Sequence, residues 1–160
     1  MSDPILVYTD GSCNPEYEIG AWAAILLVRD EKIVLSGVAE KTTHQRMELS
    51  AVIKAFEYLA QANLFDPFIQ IFTDSQYVVG IPGRSVKLRA MSFITKSGLP
   101  LRNADLLLLL MEYIEKLKPT FIKVKAHQND DTQSGNHEVD KLSRKLVREE
   151  VERKSKLKQR

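Results

Sequence analysis

The segment "ILVYTDGSCN" at positions 5–14 has a counterpart later in the chain, "IQIFTDSQYV" at positions 69–78. Each begins with an apolar run typical of a buried strand and continues through a threonine to an aspartate, Asp10 or Asp74. If the two strands are parallel neighbours, both aspartates lie at carboxyl ends of strands, where open α/β sheets place their sites. The pair therefore predicts an α/β sheet with an acidic edge.

The rest of the chain supplies further elements for this sheet. Runs rich in β-branched and aromatic residues predict two more strands before the first helix and one after the helix at 105–118. Apolar residues at helical spacing predict helices between and after the strands. A three-strand meander followed by helix-separated strands indicates a mixed sheet covered by helices. The predicted strands are 5–9, 22–28, 33–38, 66–74 and 120–127, and the main helices are 46–62, 105–118 and from about 137 onward.

Length and composition limit the class of protein. A chain of 160 residues fits one domain with a substantial core. The first residues lead directly into a strand without a secretory signal, and the apolar run at 106–111 is too short for a membrane span. Cys13 is the single cysteine, which fits a reducing compartment. We therefore expect a cytoplasmic monomer without a membrane partner.

Charge is distributed unevenly along the chain. No acidic residue occurs from Ser75 to Ala104, whereas five lysines and arginines do, and the chain after Asp140 is again basic. A basic strip suggests a polyanionic partner, although a solvated helix surface explains the C-terminal part more simply. We expect one domain at 1–148 and a charged helical extension or tail at 149–160.

Two further carboxylates border the apolar stripes of predicted helices. Glu48 lies one turn before Val52, and Asp140 lies beside Val139. Single acidic residues of this kind are usually caps, turn formers or partners of the helix dipole. An ionised side chain at a core edge is nevertheless costly unless it is paired or metal-bound. Together with Asp10 and Asp74, these residues predict four carboxylates at one end of the sheet.

Such a cluster would repel itself and raise its carboxylate pKa values unless cations were bound. Ligation by oxygen alone favours Mg²⁺ or Mn²⁺ over zinc. Two such ions about 4 Å apart can activate water and stabilise the leaving oxygen of a phosphodiester. The carboxylates Asp10, Glu48, Asp74 and Asp140 are therefore predicted to be metal ligands.

Four segments resemble the characteristic motifs of one family, type 1 ribonuclease H. They are "YTDGSCN" at 8–14, "RMEL" at 46–49, "TDSQYV" at 73–78, and "KAH" at 125–127 with "NHEVDKLSR" at 136–144. The resemblance implies the ribonuclease H-like fold, with a five-stranded mixed sheet of three antiparallel and two parallel strands flanked by helices. It also implies hydrolysis of the RNA strand in an RNA–DNA hybrid, with two Mg²⁺ ions or Mn²⁺ as a substitute.

The same resemblance assigns roles to individual positions. The four carboxylates are similar to the family's metal-binding residues, and Glu48 would also help to place the attacking water. His127 resembles a mobile histidine that assists proton transfer or product release, whereas His44 and His137 are interpreted as ordinary surface residues. Expected substrate contacts are Gly11, Ser12, Cys13, Asn14, Gln45, Gln76 and Asn136.

The chain departs from the family pattern in three places. The family's glycine-rich turn after Asn14 is replaced by "PEYEIG", the pair of asparagines before "RMEL" is replaced by His44 and Gln45, and the basic region at 80–103 has no tryptophan. Two alternatives stay open: a related nuclease, such as an exonuclease or junction resolvase, and a non-catalytic nucleic-acid-binding domain of the same fold. An acidic-edged structural domain is a third reading, but it does not explain carboxylates beside two separate helix stripes.

Overall fold

A single five-stranded sheet organises the protein, in a computed structural model that describes residues 3–64, 68–125 and 134–159. The order of strands across the sheet is β3-β2-β1-β4-β5. The strands are β1 (Ile5–Asn14), β2 (Ile19–Val28), β3 (Glu31–Ala39), β4 (Ile69–Thr73) and β5 (Thr120–Lys123). The helices are α1 (His44–Gln61), α2 (Gln76–Val79), α3 (Ile81–Ala90), α4 (Ala104–Leu117) and α5 (Ser134–Lys158).

Strand pairing confirms the predicted mixed sheet. β1, β2 and β3 form an antiparallel meander, and β1 also pairs in parallel with β4, which pairs in parallel with β5. The last parallel pair between β1 and β4 is Tyr8 with Phe72, and the two rings stack with their centroids 4.9 Å apart. The two aspartate-bearing segments are therefore neighbours, as the sequence predicts.

Helices cover both faces of the sheet. Since successive side chains of β1 point to opposite faces, each face contributes apolar residues to a separate cluster. Val7 joins the main core, to which α1 contributes fully buried residues such as Val52 and Phe56. Tyr8 joins a second cluster with Val139 of α5. The sheet is thus held between α1 and α5, the two helices that carry Glu48 and Asp140. Within the described residues, no helix is both long and apolar enough to span a bilayer.

β1 is longer than the sequence suggests. The predicted strand ends at position 9, which would place Asp10 at its end, but β1 continues to Asn14. Residues 11–14 pair with the first residues of β2, so Gly11 lies opposite Trp22 and Asn14 opposite Ile19. Asp10 therefore lies inside a strand, just past the point where the parallel pairing with β4 stops. This gap in pairing is what opens the sheet beside Asp10 and Asp74.

Gly11 allows α1 to approach β1 closely, and Gly11→Ala is expected to destabilise the fold. A Cβ at this position would lie 2.4 Å from the Glu48 amide nitrogen and 2.5 Å from the Met47 carbonyl carbon. Because both atoms are helix backbone, they cannot move aside independently, and we expect a loss of about 3 kcal/mol in the free energy of unfolding. Urea denaturation measures this loss.

Gly83→Ala is the matched control, since a Cβ on Gly83 in α3 meets nothing within 4 Å. There, alanine should stabilise the protein by roughly 0.5–1 kcal/mol because it restricts the unfolded chain and favours the helix. Equal stability of the Gly11→Ala variant and the parent protein would contradict the close packing of α1 on β1.

Candidate active site

Three carboxylates from three different elements meet where the parallel pairing of β1 with β4 ends. Asp10 comes from β1, Glu48 from the first turns of α1, and Asp74 from the residue after β4. One carboxylate oxygen from each lies within 4.8 Å of the other two. Asp10 and Glu48 are only 5% and 7% exposed, so their charges are largely removed from water. The structure thus brings together three of the four predicted ligands directly.

Asp140, the fourth predicted ligand, lies next to this group on α5. Its side chain is 18% exposed and forms an ion pair with Arg144 at 3.0 Å. It also hydrogen-bonds to Asp10 and contributes to the electrostatic environment of that residue. Asp140 therefore closes the cluster on its α5 side, as the position beside Val139 in the sequence predicts.

Burial and the neighbouring carboxylates both disfavour the charged form of Asp10. Burial first, and then the negative charges of Asp74 and Asp140, raise the pKa of Asp10 from 3.8 to about 8. The Gly11 amide, which donates a hydrogen bond to Asp10 Oδ1 at 2.8 Å, lowers this pKa in part. Without a cation, the cluster therefore retains a proton at neutral pH.

The donor set fits a hard divalent cation. Asp10, Glu48, Asp74 and Asp140 offer only carboxylate oxygens, and no cysteine lies among them. Mg²⁺ and Mn²⁺ prefer such ligands, whereas zinc sites usually include histidine or cysteine. A divalent ion would also replace the proton that Asp10 otherwise keeps.

Glu48 is held from both sides. His44 Nε2 lies 2.8 Å from Glu48 Oε1, one helical turn away, and Ser75 Oγ donates to Glu48 Oε2 at 2.6 Å. The hydrogen bond to Glu48 is the main reason why the pKa of His44 is raised, with burial acting in the opposite direction. His44 is exposed, as the sequence interpretation expects of a surface residue, and its imidazole in addition contacts Glu48.

The sequence contains a signal that His44 belongs to α1 and a signal that Ser75 caps a helix, but none that Ser75 meets Glu48. Thr43 precedes His44 and caps α1, with its side chain accepting from the Arg46 amide at 3.2 Å. A helix start at Thr43 would have placed His44 four residues before Glu48 on one helix face. Similarly, Ser75 caps α2 by accepting from the Val78 amide.

Ser75→Ala is expected to reduce the rate of hybrid hydrolysis, the activity expected from the sequence, about tenfold. The reason is that Glu48 loses a partner that orients its carboxylate. The variant should also lose roughly 1 kcal/mol of stability, since Ser75 is the N-cap of α2. Initial rates at saturating Mg²⁺ and urea denaturation measure the two effects. Ser36→Ala, on the exposed face of β3, is the control. A fully active Ser75→Ala variant would show that Glu48 needs no such support.

Several predicted substrate contacts lie close in the chain to the carboxylates. Gln76 is exposed at the start of α2, and Ser12, Cys13 and Asn14 are half-buried at the end of β1. The Asn14 side-chain oxygen accepts from the Glu16 and Tyr17 amides at 3.0 and 3.1 Å. The Cys13 thiol contacts the Thr42 carbonyl at 3.6 Å.

Gln45 lies on the first turn of α1, half-buried, and its side-chain oxygen accepts from Asn103 at 3.5 Å. Asn103 is buried, has a left-handed backbone with φ of 64°, and also contacts Arg46, which forms a bidentate pair with Asp105. This network joins α1 to the start of α4. Gln45 takes part in this network through its side-chain oxygen.

Three other predicted site residues are placed differently or not described. Gly11 is buried under α1, so its contribution is close packing and the hydrogen bond to Asp10. Asn136 is 2% exposed and its amide nitrogen donates to the Lys125 carbonyl at 3.5 Å, which favours a role in holding the start of α5. His127 lies outside the described residues.

Comparison with known proteins is consistent with this geometry. The RNase H family model matches residues 2–148, almost the whole chain. The chain belongs to the RNase H family. The resemblance drawn from the four sequence segments is therefore confirmed. Similar curated proteins include the ribonuclease H of Caldicellulosiruptor saccharolyticus, 31% identical over 91% of this chain and 97% of that protein, and that of Ehrlichia chaffeensis, 35% identical over 89% and 94%.

Solved structures share the fold of this chain at lower sequence identity. LC9-RNase H1, described as a type 1 RNase H with the type 2 active-site motif, superposes with a TM-score of 0.76 at 20% identity, over 92% of this chain and 73% of that one. A foamy viral protease-reverse transcriptase solved with an RNA/DNA hybrid superposes with a TM-score of 0.70 at 20% identity, over 88% of this chain and 19% of the viral chain.

Proposed function

We propose that this RNase H family member is a metal-dependent endonuclease that hydrolyses the RNA strand of RNA–DNA hybrids and leaves 5′-phosphate products. The observation that carries the proposal is the meeting of Asp10, Glu48 and Asp74 within 4.8 Å, from three separate elements. Curated relatives named ribonuclease H, matched over nine-tenths of the chain, support the reaction. The foamy viral neighbour, solved with a hybrid, supports the substrate.

The four carboxylates would hold two Mg²⁺ ions, for which Mn²⁺ could substitute. When bound, these ions supply charge neutralisation and Lewis-acid polarisation at a phosphodiester. Glu48, held by His44 and Ser75, would orient the attacking water through its fixed carboxylate. We assign His127 to proton transfer or product release on the resemblance alone.

Amide side chains would bind the hybrid next to the carboxylates. Asn14, Gln45 and Gln76 each lie within four residues of a carboxylate of the site, and an amide can both donate to and accept from a ribose 2′-hydroxyl. Because the Asn14 oxygen is used within its own loop, that residue would act as a donor. Contacts of this kind read the backbone and groove shape, so cleavage should be independent of sequence.

The proposal extends to the organisation of the chain. Residues 1–148 would be the catalytic domain and residues 149–160 a charged extension, which is supported by the end of the family match at position 148. We also propose that the protein is a monomer. We further propose that it acts in the cytoplasm, where reducing conditions keep a single cysteine such as Cys13 as a free thiol.

A cleavage assay tests the proposal against its alternatives. The purified protein is incubated with end-labelled RNA paired with DNA, duplex RNA, duplex DNA and a four-way junction, with Mg²⁺ or with a chelator. The proposal predicts cutting of the hybrid RNA only, abolished by the chelator. Cutting of the junction instead would indicate a related nuclease, and binding without cutting would indicate a non-catalytic domain.

A further inference from the structure

α5 extends past the family match and lies against the loop between β1 and β2. The match ends at position 148, and the helix continues to Lys158; we call residues 149–158 the extension. Val151, Lys154, Ser155 and Lys158 share one helix face because of their i, i+3, i+4, i+7 spacing. The first three of them are half-buried, so this face of the extension is in contact with the rest of the protein.

Two cationic contacts fix the extension in place. Lys154 forms an ion pair with Glu40, the residue after β3, and the Lys158 ammonium lies 5.4 Å from the centre of the Tyr17 ring. Between the extension and the loop lies a groove of about 530 Å³ whose lining includes Asn14 and Tyr17. The extension therefore contacts the β1–β2 loop, residues 15–18, and the residue that follows β3.

The conformation of this loop needs support. Its sequence is "PEYE", without glycine, and Glu18 has a left-handed φ of 53°, which costs a non-glycine residue conformational energy. Asn14 holds the loop from within, through the hydrogen bonds from the Glu16 and Tyr17 amides. The Glu18 carbonyl accepts from the Thr42 amide at 3.1 Å. A second contact from outside the loop comes from the extension, through the Lys158 ammonium over the Tyr17 ring.

We propose that the extension is a positioning element that holds the β1–β2 loop and thereby directs the Asn14 amide toward the hybrid. This inference rests on the proposed function for its substrate, but not for the contact itself. Lys154 and Lys158 act through Tyr17 and Glu40 and do not touch the substrate. Loss of both lysine contacts should let the loop move, so that Asn14 leaves the position in which its amide nitrogen meets the hybrid.

The test is a double variant of the intact chain, Lys154→Met with Lys158→Met. An exposed ion pair and a cation–π contact are each worth little, so we expect KM for the hybrid to rise about fivefold, with kcat unchanged. Hydrogen exchange at the Glu16 and Tyr17 amides should become faster. Substitution of both lysines by arginine, which can form the same two contacts, should restore the parent KM.

The matched control removes the same charge from the same helix without touching the loop. Lys145→Met with Lys156→Met serves this purpose, because those side chains pair only with Glu149 and Glu152 on α5 among the ion pairs of the described residues. If the control raises KM as much as the test variant does, general electrostatic attraction explains the effect and the proposal is overturned. It is also overturned if loop exchange or KM is unchanged in the test variant.

Failure of the proposed function would be recognised separately. If the intact chain cuts no hybrid, the proposed function fails, and the exchange of the two loop amides alone then decides whether the extension holds the loop. If the chain cuts the hybrid and the test variant behaves as the control does, the function stands and the positioning role fails.

Discussion

Asp10→Asn is expected to lower the rate of hybrid cleavage by roughly a thousandfold, the scale seen when one group that stabilises transition-state charge is removed. Asparagine keeps the size of the side chain but removes a negative charge from a group of three carboxylates that lie within 4.8 Å. The metal ligation that we propose depends on this charge. Single-turnover cleavage at saturating Mg²⁺ measures the loss, and fluorescence anisotropy should show that hybrid binding is retained.

Asp30→Asn provides the control for Asp10→Asn. Asp30 is an exposed carboxylate in the turn between β2 and β3, outside the site, so its neutralisation should leave cleavage unchanged. A fully active Asp10→Asn variant would contradict the role of the carboxylate cluster. Loss of hybrid binding together with cleavage would indicate a folding or docking defect instead.

The metal-free protein is expected to lose stability as the pH rises from about 4 to about 8. Asp10 has a pKa of about 8 in the folded protein and about 3.8 in the unfolded chain, so the folded state holds its proton more tightly. The stabilisation is complete below the unfolded pKa and disappears as the pH rises through the folded one. At about 1.4 kcal/mol for each pKa unit, the change amounts to several kcal/mol. His44, whose pKa is also raised, acts in the same direction.

Thermal unfolding in a chelator, measured from pH 4 to pH 9, tests this dependence. Asp10→Asn should flatten the curve because it removes the titrating group. Addition of Mg²⁺ at pH 8 should raise the midpoint temperature of unfolding. At a hundredfold excess of Mg²⁺ over its dissociation constant, the free energy of unfolding should increase by about 2.7 kcal/mol. A metal-free protein whose stability rises across this range would contradict the raised pKa of Asp10.

The sheet and its acidic edge were accessible from sequence because strong local patterns encode them. Apolar runs ending in Asp10 and Asp74 marked two central strands, and helical spacing placed Glu48 beside the stripe that packs on the sheet. Parallel pairing of β1 with β4 then brings these residues together. This part of the site follows from pattern and topology alone.

Elements set by tertiary pairing were harder to predict. Gly11, Ser12 and Asn14 have the composition of a turn, yet they continue β1 because β2 supplies hydrogen-bonding partners. In the same way, α2 and α3 are short and separated at Gly80, and Pro82 interrupts the apolar period that would mark a helix. The basic region and one short helix before the helix at 105–118 were visible in the sequence, but the division into two short helices was not.

Prediction of the contact between His44 and Glu48 depended on the residue at which α1 begins. The predicted helix begins at position 46, which leaves His44 outside it, whereas α1 begins at His44. A shift of one half-turn therefore hid the contact between His44 and Glu48. Ser75 could be placed only once α1 and the end of β4 were known to meet, because it follows Glu48 by 27 positions in the chain.

The most direct test of the account is a crystal soaked in Mn²⁺, with anomalous scattering used to locate the metal. We predict strong peaks within coordination distance of Asp10, Glu48 and Asp74, and a second ion that also contacts Asp140. Crystals of Asp10→Asn under the same conditions should lose at least one of these peaks. An anomalous map without density among these carboxylates, at a Mn²⁺ concentration that supports cleavage in solution, would contradict the central claim.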